Sequence, residues 1–144
     1  MAVARYDGHA DWYDDWRKQS VEGNALDVRG LLGPGEGPCL DLGCGTGLFL
    51  DALAATGRTV VGVDCSADQL RIARARSPLI VQADAAELPF GDTGRRPQAR
   101  RDEPPSLADM LNAFVRSGLL IDHVAEAGDR PVPNTLAIRA RKAA

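Results

Sequence analysis

Residues 38–85 read PCLDLGCGTGLFLDALAATGRTVVGVDCSADQLRIARARSPLIVQADA, and their order of signals decides the fold. "CLDLGCG" is a short apolar run that ends in glycines. "LFLDALAATG" follows as a predicted helix, with Leu48, Ala52 and Ala55 on one stripe and Gly57 as its stop. "TVVGVD" (59–64) is β-branched and short, so it predicts a buried strand. Ser66 and Gln69 have the spacing of a capping box, which predicts a helix over "SADQLRIARAR" that Pro78 ends. "LIVQAD" (79–84) is a third strand. Strand, helix, strand, helix, strand is the pattern of a parallel sheet covered by helices, an α/β fold.

The flanks divide into three parts. Residues 1–33 predict a helical cap in which Trp12, Tyr13 and Trp16 share a face and pack on something. Within it, "NALDVRGLLG" predicts a short helix with Asn24 as cap and Gly33 as stop. Residues 88–105 predict a linker: Arg95, Arg96, Arg100 and Arg101 stand among prolines with almost no apolar residue. A solvated linker fits these charges better than a phosphate-binding patch, since Asp92, Asp102 and Glu103 dilute them. Residues 106–142 predict a helix from Ser106 to Gly118 and a hairpin of "LLIDHVAE" and "NTLAIRAR". In the last strand Leu136, Ile138 and Ala140 alternate with Ala137, Arg139 and Arg141.

Composition narrows the function. The chain has 144 residues, room for one domain. Its formal charge of −3 gives no general attraction to nucleic acid or to an anionic membrane. Three cysteines (Cys39, Cys44, Cys65) without C-x-x-C spacing point away from disulfides and zinc, and toward a reducing, cytoplasmic setting. No metal site is expected. No run has the length of a signal peptide's apolar core or of a membrane span.

The chemistry lies in "DLGCGTG" (41–47), between a strand and a helix. Glycines there let a ligand reach backbone N–H groups. Asp64 ends the second strand, where a carboxylate can accept from both ribose hydroxyls of an adenosine. Asp84 ends the third, where it can accept from an adenine amino group while the N–H of Ala85 faces a ring nitrogen. The rival reading is that Asp41, Asp64 and Asp84 merely end strands or cap helices. A dinucleotide site wants G-x-G-x-x-G, and Leu48 stands where its last glycine belongs. A nicotinamide-dependent oxidoreductase is therefore the less favoured alternative.

The chain resembles the class I S-adenosylmethionine-dependent methyltransferases, in particular small-molecule enzymes of the ubiquinone/menaquinone type. "LDLGCGTG", "VVGVDCSADQL" and "QADAAELPF" look like their first three motifs. The resemblance implies a Rossmann-like three-layer sandwich, a single domain, and S-adenosyl-L-methionine as cofactor with S-adenosyl-L-homocysteine as product. It implies that Gly43, Cys44, Gly45, Thr46 and Gly47 border the methionine part and that Asp41 helps hold its amino group. It places Asp64 on the ribose, Cys65 on the adenine face, and Asp84 and Ala85 on the adenine edge. The aromatic N-terminal helix resembles that family's cap, with Tyr6, Trp12, Tyr13 and Trp16 as candidate lining. The expected partner is a small-molecule acceptor. Neither histidine, His9 or His123, is singled out as a catalytic base.

Residues 91–105 hold no strand-like run where the family continues into a fourth and a fifth strand. Two strand–helix units are missing by this comparison. The expected sheet is the shortened order 3-2-1-7-6 with its last strand antiparallel beside the first. A homodimer through the bare sheet edge competes with a closed-up monomer. A non-catalytic S-adenosylmethionine-binding or interaction module stays open as an alternative to an enzyme.

Overall fold

The computed structural model describes residues 7–23, 27–84, 107–127 and 135–142. The expected linker 88–105, Asn24, Ser106, Tyr6 and Ala85 lie outside them.

Helix α1 (Ala10–Gly23) is followed by α2 (Val28–Leu32), β1 (Cys39–Leu42), α3 (Leu50–Ala54), β2 (Val60–Asp64), α4 (Ala67–Ala73) and β3 (Ile80–Gln82). Strands β1, β2 and β3 form a parallel sheet in that order, as the βαβαβ reading predicts. Asp27 caps α2, its Oδ1 accepting the Gly30 N–H at 2.9 Å, while Gly33 turns the chain out with φ 68°. Ser66 caps α4 by accepting the Gln69 N–H at 3.2 Å. The box is only half made, because the Gln69 side-chain amide has no hydrogen-bond partner among the described residues.

Helix α3 is shorter than its sequence pattern. The turn runs on through Phe49, with Gly47 N–H donating to the Cys44 carbonyl and Leu50 N–H to that of Gly47. The helix therefore begins only at Leu50, and its buried residues are Leu50 and Leu53 rather than the expected stripe.

Register fixes what each face of the sheet meets. Cys39, Asp41, Val60, Gly62, Asp64, Ile80 and Gln82 share one face. A Cβ on Gly62 would stand 3.2 Å from Leu50 Cδ2 and 3.0 Å from Cys44 Sγ, so glycine admits the α3 side of the core here. Val28, Cys44, Leu50, Leu53, Val60, Leu70 and Ala73 form the buried cluster. The opposite face carries Leu40, Val61, Val63 and Val81. There Leu40 is 39% and Val81 47% exposed, so this face is thinly covered.

Helix α5 (Leu107–Arg116) leads into β4 (Leu119–Ala127) and β5 (Thr135–Lys142), an antiparallel hairpin. Gly118 stops α5 with φ 69°. The expected order 3-2-1-7-6 is corrected here: the hairpin is a two-stranded sheet of its own and does not pair with β1. Two features account for this. The hairpin pairs along nearly its whole length apart from an irregularity between Ile121 and His123, whereas β1 offers only four residues. Side-chain contacts also seat it elsewhere, since Arg139 Nη1 donates to the Leu31 and Leu32 carbonyls at the end of α2 at 2.9 and 3.3 Å.

Candidate functional site

The glycine turn leaves β1 at the carboxyl edge of the sheet. Gly43, Gly45 and Gly47 have φ of 76°, 54° and 82°, a left-handed region that other residues rarely adopt. The loop stays against the sheet because Gly43 and Cys44 N–H both donate to the Val63 carbonyl, at 2.7 and 3.0 Å. Asp64 at the end of β2 ties it from the other side. Its Oδ2 accepts the Gly45 N–H at 3.0 Å and its Oδ1 the Ser66 N–H at 2.9 Å.

A cleft opens above this turn, between Tyr13 and Arg17 of α1 and Asp41, Gly43, Cys44, Gly45, Thr46, Leu48 and Phe49. Asp41 supplies its charge. Its Oδ2 is buried without a hydrogen-bond partner among the described residues. Burial raises the carboxyl to about 6, and the nearby Asp64 charge adds to the rise. A carboxylate in this state is short of a cation or a donor, which is what a ligand ammonium supplies.

The thiols are not activated as nucleophiles. Burial pushes the Cys44 thiol up to about 12, with the Asp41 and Asp64 charges reinforcing it. Cys39 and Cys65 are raised by burial too, so none of the three is a ready thiolate.

The sequence-predicted residues divide. Tyr13, Asp41, Gly43, Cys44, Gly45 and Thr46 line the cleft together. Gly47 lies beneath it against Leu50 and Ala73. Asp64 joins through the Gly45 N–H, while Cys65 and Asp84 are exposed farther along the strand ends. Trp12 and Trp16 do not face the cleft. They stack on each other with centroids 6.1 Å apart and are 65% and 42% exposed.

Sequence reasoning missed Arg17, 9% exposed on the cleft wall. Its place four residues after Tyr13, on the same helical face, was the available signal. It also missed Asp14, which is 4% exposed and meets Arg76 Nη1 and Nη2 at 2.7 and 2.9 Å. Arg76 holds the Asp14 carboxyl far below the usual carboxylate range, against the opposing effect of burial, and Lys18 adds to the lowering.

Residues 40–94 match the family described as the methyltransferase domain. That match takes in the glycine turn, β2, α4 and β3, less than half of the chain. Among solved structures, the chain resembles a TehB-like SAM-dependent methyltransferase from Corynebacterium glutamicum, with 18% identity over 81% of this chain and 86% of the other, at a TM-score of 0.51. That likeness is one of fold. The PH0226 protein from Pyrococcus horikoshii OT3 matches at 29% identity over 61% of this chain, with TM-score 0.40, and the chain spans 38% of that protein's length. A protein studied for the conversion of a disulfide bond into a thioacetal group during echinomycin biosynthesis matches at 19% identity, over 76% of this chain and 74% of the other, with TM-score 0.42. No curated protein matches the chain. Among the described residues no helix is long and apolar enough to cross a membrane.

Proposed function

We propose that this chain is a methyltransferase that binds S-adenosylmethionine in the cleft over the glycine turn and transfers its methyl group to a small-molecule acceptor. The observation that carries the reading is the orphaned Asp41 Oδ2 beside three left-handed glycines. It fits a ligand with a cationic amino-acid end lying close to the backbone.

When bound, the cofactor supplies an electrophilic methyl group on a sulfonium, and displacement there needs alignment more than acid–base help. The chain's own residues provide that alignment. Asp41 accepts from the ammonium, and Arg17 on the opposite wall is placed to meet the carboxylate. The Asp64 oxygens each keep a lone pair beyond their bond to a backbone N–H, and these accept from the ribose hydroxyls. Asp84 and Ala85 read the adenine edge, with Cys65 against its face. Tyr13 closes the roof and excludes water.

The chain acts as one domain (1–144), with its cap in 1–33, its cofactor unit in 38–85, its linker in 88–105 and its helix and hairpin in 106–142. It works in the cytoplasm as a monomer or as a homodimer through the outer edge of β1, which light scattering distinguishes. Calorimetry with S-adenosylhomocysteine tests the site. Binding at micromolar ligand supports the reading, and no heat at high micromolar ligand refutes it. A second reading, a cofactor-binding module without turnover, draws on residues 91–105, whose sequence has no strand-like run where the resembled family continues into a fourth and a fifth strand. Release of S-adenosylhomocysteine with any member of an acceptor panel rejects it.

A further inference from the structure

We propose that Arg76 is a positioning residue that sets the width of the cleft at the methionine end of the cofactor. The inference rests on the cofactor reading above. Arg76 does not line the cleft, yet its guanidinium joins the two parts that do. Nη1 donates to the Thr46 carbonyl in the turn at 2.5 Å and to Asp14 Oδ1 at 2.7 Å, while Nη2 donates to Asp14 Oδ2 at 2.9 Å.

Thr46 is floor and Asp14 is roof. Thr46 is 2% exposed and adjoins Gly45, and Asp14 adjoins Tyr13 and lies one helical turn before Arg17. A planar fork with fixed donor directions holds three acceptors in one geometry, which a lysine ammonium on a flexible stem does not reproduce. The remaining links between α1 and α4 lie nearer their amino ends. Gly8 and Ala10 N–H donate to Asp68 Oδ2 at 2.9 and 3.2 Å, Ser66 Oγ donates to Asp7 Oδ1 at 2.5 Å, and Arg71 meets Asp11 at 2.6 Å. These fix where the cap helix starts. Arg76 instead ties that helix to the glycine turn, where the Thr46 hydroxyl also meets Asp14. The adenosine end, at Asp64 and Asp84, lies off this line.

Removing the guanidinium therefore weakens ligands that have a methionine end and spares those that lack one. Calorimetry compares S-adenosylhomocysteine with adenosine on the full chain and on Arg76→Met, Arg76→Lys, Asp14→Asn and the double variant Asp14→Asn/Arg76→Met. Arg76→Met weakens S-adenosylhomocysteine about tenfold or more and leaves adenosine within about twofold, from lost charge-assisted hydrogen bonds. Arg76→Lys falls between, and the double variant is no weaker than Arg76→Met, because both changes break one unit.

An unchanged S-adenosylhomocysteine constant, or equal weakening of both ligands, overturns the proposal. If Arg76→Met does not fold, Arg76→Lys and Asp14→Asn carry the comparison. Amide exchange in the ligand-free protein separates the two readings should the wild type bind neither ligand. Arg76→Lys then accelerates exchange in α1 and in the turn at Gly47 together while β2 stays protected, and exchange unchanged in both refutes the clasp.

Discussion

Asp41→Asn separates what the site needs from what the fold would prefer. In the ligand-free protein the Asp41 carboxyl sits at about 6 against an ordinary 3.8. At 1.36 kcal/mol per pH unit this sets a ceiling of about 3 kcal/mol on the cost of keeping it ionised at neutral pH. The residue is half-buried and only its Oδ2 is shut off, so about 1–3 kcal/mol is the expected range. The sign follows from linkage. The native state holds the proton more tightly than the unfolded state, so this group's contribution is fully present below pH 3.8 and is lost as pH rises through about 6.

Asp41→Asn is close in shape to the protonated acid and does not titrate. Urea unfolding of both proteins from pH 4 to 8 tests this. Their stabilities match near pH 4, diverge between about pH 4 and 6 and stay apart above 6, with the variant more stable by that range. Calorimetry at pH 8 shows the opposite order for S-adenosylhomocysteine, which the variant binds more weakly by about 1–3 kcal/mol. Parallel pH profiles would refute the account of Asp41 as a frustrated carboxylate. Equal ligand affinity would refute its role in holding the ammonium.

Asp64→Ala costs cofactor affinity about 1–3 kcal/mol by calorimetry, because it removes the proposed ribose acceptor and the observed acceptor for the Gly45 and Ser66 N–H groups. An unchanged constant rejects the ribose assignment. Gly47→Ala, at φ 82° and with its Cβ 2.7 Å from Leu50 Cδ1 and 3.3 Å from the Ala73 backbone, destabilises the chain by about 1–3 kcal/mol in urea. Leu70→Ala, in a residue with no exposure, costs about 2–5 kcal/mol in the same assay. Asp14 has the opposite pH sign to Asp41. Its depressed carboxyl contributes stability that is present above 3.8 and fades as pH falls below it. Asp14→Asn should therefore flatten the acid limb of the stability profile, and an unchanged limb would count against the buried pair.

The parts of the fold legible in sequence are those with local causes. A β-branched run makes β2, Ser66 caps α4 through a neighbour three residues away, and Gly33 and Gly118 stop helices by their left-handed φ. The turn at 41–47 was legible because glycines and carboxylates are spaced along one connection. What escaped depends on residues far apart in the chain. Asp14 and Arg76 are 62 positions apart, and neither carries a motif that announces the other. Asn24 looked like the cap of α2 by spacing, but Asp27 makes the hydrogen bond. Of the three aromatics expected to pack on something, Tyr13 faces the cleft, while Trp12 and Trp16 stack on each other and stay partly exposed. The hairpin was legible as a hairpin. Its place was not, because long-range seating by Arg139 leaves no periodic trace.

That seating gives the molecule two ladders of backbone hydrogen bonds with none shared between them. Such an arrangement permits the carboxy-terminal ribbon to open as a local unfolding unit, with its own protection factor, while the parallel sheet stays closed. Proteolytic nicking within the ribbon would then be a local injury and not a global one.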